Sequence, residues 1–311
     1  MAKTAWLFPG QGSQAVGMLA DLADEFGVVK ETYAEASDAL GFDVWQLVQQ
    51  GPEAELNKTQ HTQPALLAAS VAIARVLQQH GVTQPDYMAG HSLGEYSALV
   101  CSGALAFADA VKLVAKRGEF MQQAVPAGKG AMAAIIGLAD DVIAQACRDN
   151  ANGEVVAPVN YNSPGQVVIA GDIHAVERAA EACKAAGAKR VLPLPVSVPS
   201  HCALMQPAAE QLQQLLASIA INAPQVAVVN NVDVAVSQDP AVIRDALVRQ
   251  LFSPVRWTET VTWLAEQGVE QAYEVGPGKV LSGLNKRIVK TMSCAALNDL
   301  ASVQALSEIH R

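Results

Sequence analysis

Ser92 stands at the centre of Gly90-His91-Ser92-Leu93-Gly94, a Gly-x-Ser-x-Gly pattern. The flanking glycines let the chain turn sharply and leave the hydroxyl projecting from the corner. A serine presented this way is a candidate nucleophile for a carbonyl carbon, and it needs a base to take its proton. Among the six histidines, His201 follows Pro199-Ser200 at the expected opening of a helix, where loops meet active sites. We assign it the role of base, a structural histidine being the alternative. His91 adjoins Ser92, but side chains of neighbouring residues at a corner diverge, so His91 suits the lining of a pocket. His80 ends an amphipathic helix, while His174 and His310 fall in polar settings that read as solvated. No third, acidic member is legible. The carboxylates from Asp109 to Glu181 fall where a hydrolase order would place one, none has a distinguishing context, and a backbone carbonyl is the alternative.

The second chemical signal is a cation in an apolar row. Ala110, Val114 and Met121 mark one face of a predicted helix over 108–124, and Arg117 falls on that same face, opposite Lys112, Lys116 and Glu119. An inward guanidinium must find an anion, because an unpaired buried charge is very costly. That anion is either a protein carboxylate or a carboxylate of the substrate.

The elements that must hold these groups follow from the apolar pattern. A short apolar run ends at Ala89 and a helix begins after Gly94, giving the strand, corner and helix of a nucleophile elbow; the N-terminus of that helix points its free N–H groups to where negative charge would develop. Thr4–Phe8 reads as a strand running into the loop Pro9-Gly10-Gln11-Gly12-Ser13-Gln14, and a helix is expected over Pro64–His80. From 130 to 196 the predicted order is strand, helix, strand, strand, helix, strand (131–137, 140–150, 155–159, 166–170, 173–186, 189–196), the split βαββαβ unit of ferredoxin-like domains. Beyond it, a helix opening at Ser200, an apolar strand over 225–232, helices over 241–252 and 254–267, a strand over 271–275, a helix over 279–289 and a strand over 293–297 imply a mostly parallel sheet covered on both faces. The expected architecture is therefore α/β. Residues 1–127 and 197–311 form a discontinuous core and 128–196 a small inserted domain.

Composition narrows the function. The chain of 311 residues is 51% hydrophobic and 16% charged, with a formal net charge of −9. It is rich enough in apolar residues to build a large core, and its acidity argues against a nucleic-acid partner. Five dispersed cysteines without a Cys-x-x-Cys pair read as reduced thiols, and neither a leader pattern nor a membrane-spanning run is evident, so a cytoplasmic location is expected. There is no His-Glu-x-x-His for a metal. Gly276-Pro277-Gly278-Lys279 lacks the spacing of a phosphate loop and reads as a turn from strand to helix.

Several motifs then occur in one order: Phe8-Pro9-Gly10-Gln11-Gly12-Ser13-Gln14, Thr62-Gln63-Pro64-Ala65, Gly90-His91-Ser92-Leu93-Gly94-Glu95-Tyr96, the Arg117 helix, Val198-Pro199-Ser200-His201, and Tyr273-Glu274-Val275-Gly276-Pro277-Gly278. Over essentially its whole length the chain resembles the malonyl-CoA:acyl carrier protein transacylases, in particular the free-standing bacterial members serving type II fatty acid synthesis. The resemblance implies a hydrolase-like α/β core with a ferredoxin-like insertion. Ser92 would be the nucleophile, His201 its base, and the backbone carbonyl of Gln250 the partner that steadies His201. It further implies an oxyanion hole from Gln11 and the N–H of Leu93, with Arg117 on the free carboxylate of malonate and Gln63, His91 and Asn162 near the acyl group. No cofactor is implied, since malonyl-CoA is a substrate; the implied partners are malonyl-CoA, CoA and acyl carrier protein, with no nucleic acid and no membrane. Docking of an acidic carrier protein on an acidic chain calls for a local basic patch, and Lys189-Arg190 and Lys286-Arg287-Lys290 are the candidates, ordinary surface charge being the alternative for each. In related modular synthases the residues before this histidine track extender choice. Val198-Pro199-Ser200-His201 matches neither of their usual forms, so malonyl preference is expected from the whole-chain likeness. A serine hydrolase using the same elbow, or a non-catalytic module that binds carrier protein, are the rival readings.

Overall fold

The computed structural model describes residues 2–196 and 198–309; His310, and Ser197 within the expected second crossing between domains, lie outside the described residues. The chain opens with β1 (Lys3–Phe8), whose residues Ala5 to Phe8 are all buried. A strand without polar alternation suits the middle of a parallel sheet covered on both sides. Helices α1 (Ala20–Glu25), α2 (Gly27–Leu40), α3 (Val44–Gln50) and α4 (Glu53–Leu56) lead to the long α5 (Thr59–Gln79). Then come β2 (Tyr87–Gly90), α6 (Gly94–Cys101) and α7 (Phe107–Ala124).

A second sheet follows, carried by β3 (Gly130–Ile136), α8 (Asp140–Asn150), β4 (Val156–Ser163), β5 (Gln166–Asp172), α9 (Ile173–Ala185) and β6 (Arg190–Pro193). The chain then returns through a 3-10 turn (Ala203–Met205), α10 (Gln206–Leu216), β7 (Ala227–Val229), α11 (Pro240–Gln250), α12 (Trp257–Glu266), β8 (Val269–Val275), α13 (Val280–Ile288), β9 (Ser293–Leu297) and α14 (Leu300–Ile309).

The larger sheet runs β7-β2-β1-β8-β9 with every neighbouring pair parallel. The smaller one runs β4-β5-β3-β6 and is antiparallel throughout, which is the strand order of a split βαββαβ unit. The α/β class, the mostly parallel core sheet and the separate small sheet are thus as the sequence predicts. One apolar core packs helices such as α2, α5, α7 and α10 against Trp6 and Phe8; another gathers Leu7, Trp257 and Val261 on the other side of the large sheet.

Several boundaries differ from expectation for physical reasons. Helix α5 begins at Thr59, upstream of Pro64, which lies inside it. The first turn is held by packing: Gly118 of α7 sits so close to Gln60 that a Cβ there would lie 2.7 Å from the Gln60 Cα. Ser200 and His201 do not open a helix, because His201 adopts φ 64° and Cys202 is extended, so the helix waits until Gln206. Strand β7 is shorter than the apolar run suggests; Asn230 and Asn231 leave it, the first accepting from the nearby Asp233 N–H and the second bonding Gly90 and Ser92 across the fold. β6 likewise covers only part of 189–196, and α14 lies beyond the last predicted element, the strand over 293–297.

The turn after β8 is structural, as read. Both carboxylate oxygens of buried Glu274 accept from the N–H groups of Leu281 and Ser282, at 3.0 and 2.8 Å, and so cap α13. A Cβ at Gly276 would lie 2.5 Å from Pro9 Cγ, so this loop and the loop after β1 pack directly against each other.

Candidate active site

Strand β2 delivers the chain to the corner, and the corner is steric in origin. A Cβ on Gly90 would meet the carbonyl carbon of Gly94 at 1.8 Å, and one on Gly94 would meet the Phe8 carbonyl oxygen at 2.0 Å. Between these close approaches Ser92 takes φ 54°, a left-handed conformation that costs a non-glycine residue about 1–3 kcal/mol. Asn231 holds it there: its Oδ1 accepts from Ser92 N at 2.8 Å and its Nδ2 donates to Gly90 O at 2.7 Å. The Ser92 side chain remains partly exposed.

Ser92 Oγ lies 2.8 Å from His201 Nε2, and His201 Nδ1 lies 2.7 Å from the main-chain oxygen of Gln250 at the end of α11. A carbonyl oxygen only accepts, so Nδ1 carries the proton and Nε2 presents its lone pair to the serine hydroxyl. His201 is 3% exposed. Burial, and then the positive charge of Arg117, push its pKa down from 6.5 to about 3, so the ring is neutral at physiological pH, as a proton acceptor must be. Its backbone N–H donates to Leu251 O at 3.0 Å, fixing the turn on the α11 terminus.

Arg117 projects from α7 and is 1% exposed. Its Nη1 donates to Gln63 Oε1 at 2.8 Å, and its Nη2 to Gln250 Oε1 at 2.9 Å and Ser92 Oγ at 3.3 Å. Among the described residues no carboxylate forms an ion pair with it, which removes the protein-carboxylate alternative. Among the described residues Arg117 Nε and the Tyr96 hydroxyl have no hydrogen-bond partner, although the Tyr96 ring centroid is 5.3 Å from the guanidinium carbon. The cation is therefore held by neutral amides and one π-face, with donor capacity in reserve.

The remaining sequence candidates fall around this centre. Gln63 is fully buried; besides accepting from Arg117 it donates to Thr59 Oγ1 at 3.0 Å, and Thr59 donates to Gln11 Oε1 at 3.2 Å. The Gln11 side chain is exposed at the mouth. Neither the Gln11 N–H nor the Leu93 N–H enters a loop or cap hydrogen bond among the described residues, whereas Gly94, Glu95 and Tyr96 donate to His91, Ser92 and Leu93. His91 Nε2 donates to Oδ1 of Asn162 on β4 at 2.8 Å, and burial lowers the His91 pKa. This bond ties the small sheet to the elbow.

Lys189, Arg190, Lys286, Arg287 and Lys290 are all exposed and form no ion pair among the described residues. His174 is exposed and pairs with Glu177, and His80 Nδ1 is bonded to Val76 O within its own helix. No group of three His, Cys, Asp or Glu among the described residues could hold a metal.

Sequence reasoning missed three residues here: Asn231, Thr59 and Glu95 as a buried acceptor. A polar Asn230-Asn231 pair closing an apolar strand was the available signal for the first. The other two carry no signal outside the assembled site.

Comparison with known proteins gives the family. Residues 5–306 match the acyl transferase domain family. A malonyl CoA-acyl carrier protein transacylase of Escherichia coli is 65% identical over 309 residues, covering 99% of this chain and 100% of that protein. A crystal structure of an acyl carrier protein S-malonyltransferase from Vibrio cholerae, 66% identical, superposes with a TM-score of 0.96 over 98% of this chain and 100% of that one. A type II PKS acyl-carrier protein in complex with its malonyl-transacylase gives a TM-score of 0.98 at 63% identity, over 99% and 100% of the two chains. The chain belongs to the acyl transferase domain family, among the malonyl CoA-acyl carrier protein transacylases.

Proposed function

We propose that the chain transfers the malonyl group of malonyl-CoA to the phosphopantetheine thiol of acyl carrier protein, through a malonyl ester on Ser92. The observation that carries this reading is Arg117: a buried guanidinium with no carboxylate partner among the described residues, 3.3 Å from the candidate nucleophile. Such a cation suits an acyl group that brings its own acid.

In the first half-reaction His201 Nε2 takes the Ser92 proton as Oγ attacks the thioester carbonyl. The oxyanion is assigned to the N–H groups of Leu93 and Gln11, each worth roughly 3 kcal/mol in such a hole. The tetrahedral intermediate collapses, the C–S bond breaks, and His201 passes the proton to the departing sulfur, so CoA leaves as the thiol and the ring is neutral again. In the second half-reaction the carrier thiol gives its proton to His201 and attacks the ester carbonyl, and the Ser92 oxygen recovers that proton as the ester C–O bond breaks. Each half is an acyl and a proton transfer that chain groups can serve, so we assign no cofactor. Gln63, His91 and Asn162 are assigned to the acyl site's lining.

We further divide the chain into a core of residues 1–127 and 197–311 and an inserted domain of 128–196. The core contributes Ser92, Arg117, His201 and Gln250, and the insertion contributes Asn162. Docking of carrier protein is assigned to Lys189-Arg190 or Lys286-Arg287-Lys290. No described helix is long and apolar enough to cross a membrane, and all five cysteines are free; both suit a cytoplasmic location.

Intact-mass analysis after mixing with malonyl-CoA tests the reading. Wild type should gain one malonyl group that acyl carrier protein then removes, and Ser92→Ala should gain none. Adduct on Ser92→Ala, or release to water in preference to the carrier thiol, would overturn it.

A further inference from the structure

Behind the serine and the arginine lies a carboxylate that the steps above do not use. Glu95, in the first turn of α6, is 3% exposed and forms no ion pair among the described residues. Its Oε2 accepts from Gln250 Nε2 at 2.8 Å and from Asn231 N at 3.1 Å. Buried acids without a job are rare, because their burial opposes folding.

The work it does can be followed atom by atom. A side-chain amide has one accepting end and one donating end, and rotation by half a turn exchanges them. With Nε2 of Gln250 on Glu95, its Oε1 faces Arg117 Nη2 at 2.9 Å. In the reversed state an NH₂ group would face the guanidinium and Oε1 would face the carboxylate, so two contacts would become repulsive at once. Ser92 O and Asn231 Oδ1 also accept from Nε2, at 3.0 and 3.2 Å, but both are longer, and Asn231 Oδ1 is already engaged by Ser92 N.

We propose that Glu95 is a positioning residue: through the Gln250 amide it holds Arg117 in the orientation that receives an acyl carboxylate, and so sets the preference for malonyl over neutral acyl groups. The inference rests on the malonyl reading above. It does not depend on whether Glu95 is charged. Both bonds fall on Oε2, and a proton on Oε1 leaves them intact. Glu95 also lines a cavity of about 20 Å³ with Leu99, Asn230 and Ser237, space for one water beside the carboxyl.

The test compares malonyl-CoA with acetyl-CoA in single-turnover loading and steady-state assays of Glu95→Ala, Glu95→Gln, Gln250→Leu and Glu95→Ala/Gln250→Leu. Glu95→Ala should raise KM for malonyl-CoA roughly tenfold, the loss of one strong hydrogen bond, with a smaller change in kcat and in acetyl loading. Glu95→Gln keeps an accepting oxygen and should recover most of the preference. In the Gln250→Leu background Glu95→Ala should add little, because the amide it orients is gone. Equal losses with both acyl groups, a Glu95→Gln variant no better than Glu95→Ala, or additive effects in the double variant would overturn the proposal. If Glu95→Ala does not fold, Gln250→Leu must lose malonyl preference while Glu95→Gln keeps it, and any other pattern counts against the proposal. Arg117→Ala is measured alongside. If it retains malonyl preference, the acid-binding reading itself falls; if it loses preference and Glu95→Ala does not, only the role of Glu95 falls.

Discussion

Arg117 Nη2 stands 3.3 Å from Ser92 Oγ, so one cation touches the nucleophile and is also assigned to the acid of the acyl group. An entering carboxylate would find the guanidinium already desolvated and aimed by Gln63 and Gln250, which lowers the cost of forming a paired, charge-assisted contact.

Arg117→Ala should therefore cut kcat/KM for malonyl loading by on the order of a hundredfold, the loss of about 3 kcal/mol of charge-assisted bonding. Acetyl loading should fall much less. Arg117→Lys should not restore the preference, since an ammonium cannot span Gln63 Oε1 and Gln250 Oε1 with a planar fork. Loading rates for the two acyl groups check both statements.

The pH profile should extend far into acid. The reacting form needs neutral His201, whose pKa is held down to about 3 by burial and by Arg117. The acid limb of kcat/KM should lie well below the ordinary histidine value of 6.5, and Arg117→Ala, which removes the neighbouring charge, should move it upward. A wild-type limb at 6.5 would contradict the structure. Stability should show two opposed trends. An unfolded chain protonates this histidine below 6.5 while the folded chain resists until about 3, so that contribution is present above 6.5 and lost as pH falls between these values. Burial raises Glu95 from 4.5 to about 7; the unfolded chain releases that proton first, so this contribution is present below 4.5 and lost as pH rises to 7. Denaturant titrations of wild type and Glu95→Gln across pH 4–8 should differ mainly in the second trend.

Substitution at the elbow should be intolerable where a distant glycine is indifferent. Gly94→Ala drives a methyl to 2.0 Å from the Phe8 carbonyl oxygen, whereas Gly283→Ala in α13 meets nothing within 4 Å. The first should fail to yield folded protein; the second should be neutral or stabilising by about 0.5–1 kcal/mol. Soluble yield and thermal unfolding distinguish them.

Charge reversal at Lys286 and Arg287 together should raise KM for acyl carrier protein several-fold and spare KM for malonyl-CoA, with the increase growing as salt is lowered. Equal effects on both substrates would move the docking surface to Lys189 and Arg190 or elsewhere.

Much of this site is visible in one dimension because its physics is local. A corner needing two glycines around a serine, and an arginine in an apolar helical row, are statements about adjacent residues or one helix face. The βαββαβ order could be read because each element carries its own apolar period. What stayed hidden depends on distant chain segments meeting. Asn231 falls inside the apolar strand expected over 225–232, and no neighbouring residue signals that its side chain bonds Gly90 and Ser92. Glu95 was one letter of a motif until α11 laid Gln250 against it. The His201 turn could not be told from a helix start, since its φ is imposed by docking on Leu251 O.

The partner of His201 Nδ1 is main chain, and that has a genetic consequence. In a saturation library, codon 250 can be rewritten nineteen ways and each product still carries a carbonyl there. Only a change that shifts the α11 terminus, such as a proline insertion or a deletion within the helix, would withdraw it. A scan of such a library should return knock-outs at codons 92 and 201 with no third acidic codon beside them, and sensitivity at codon 250 would report on its amide alone.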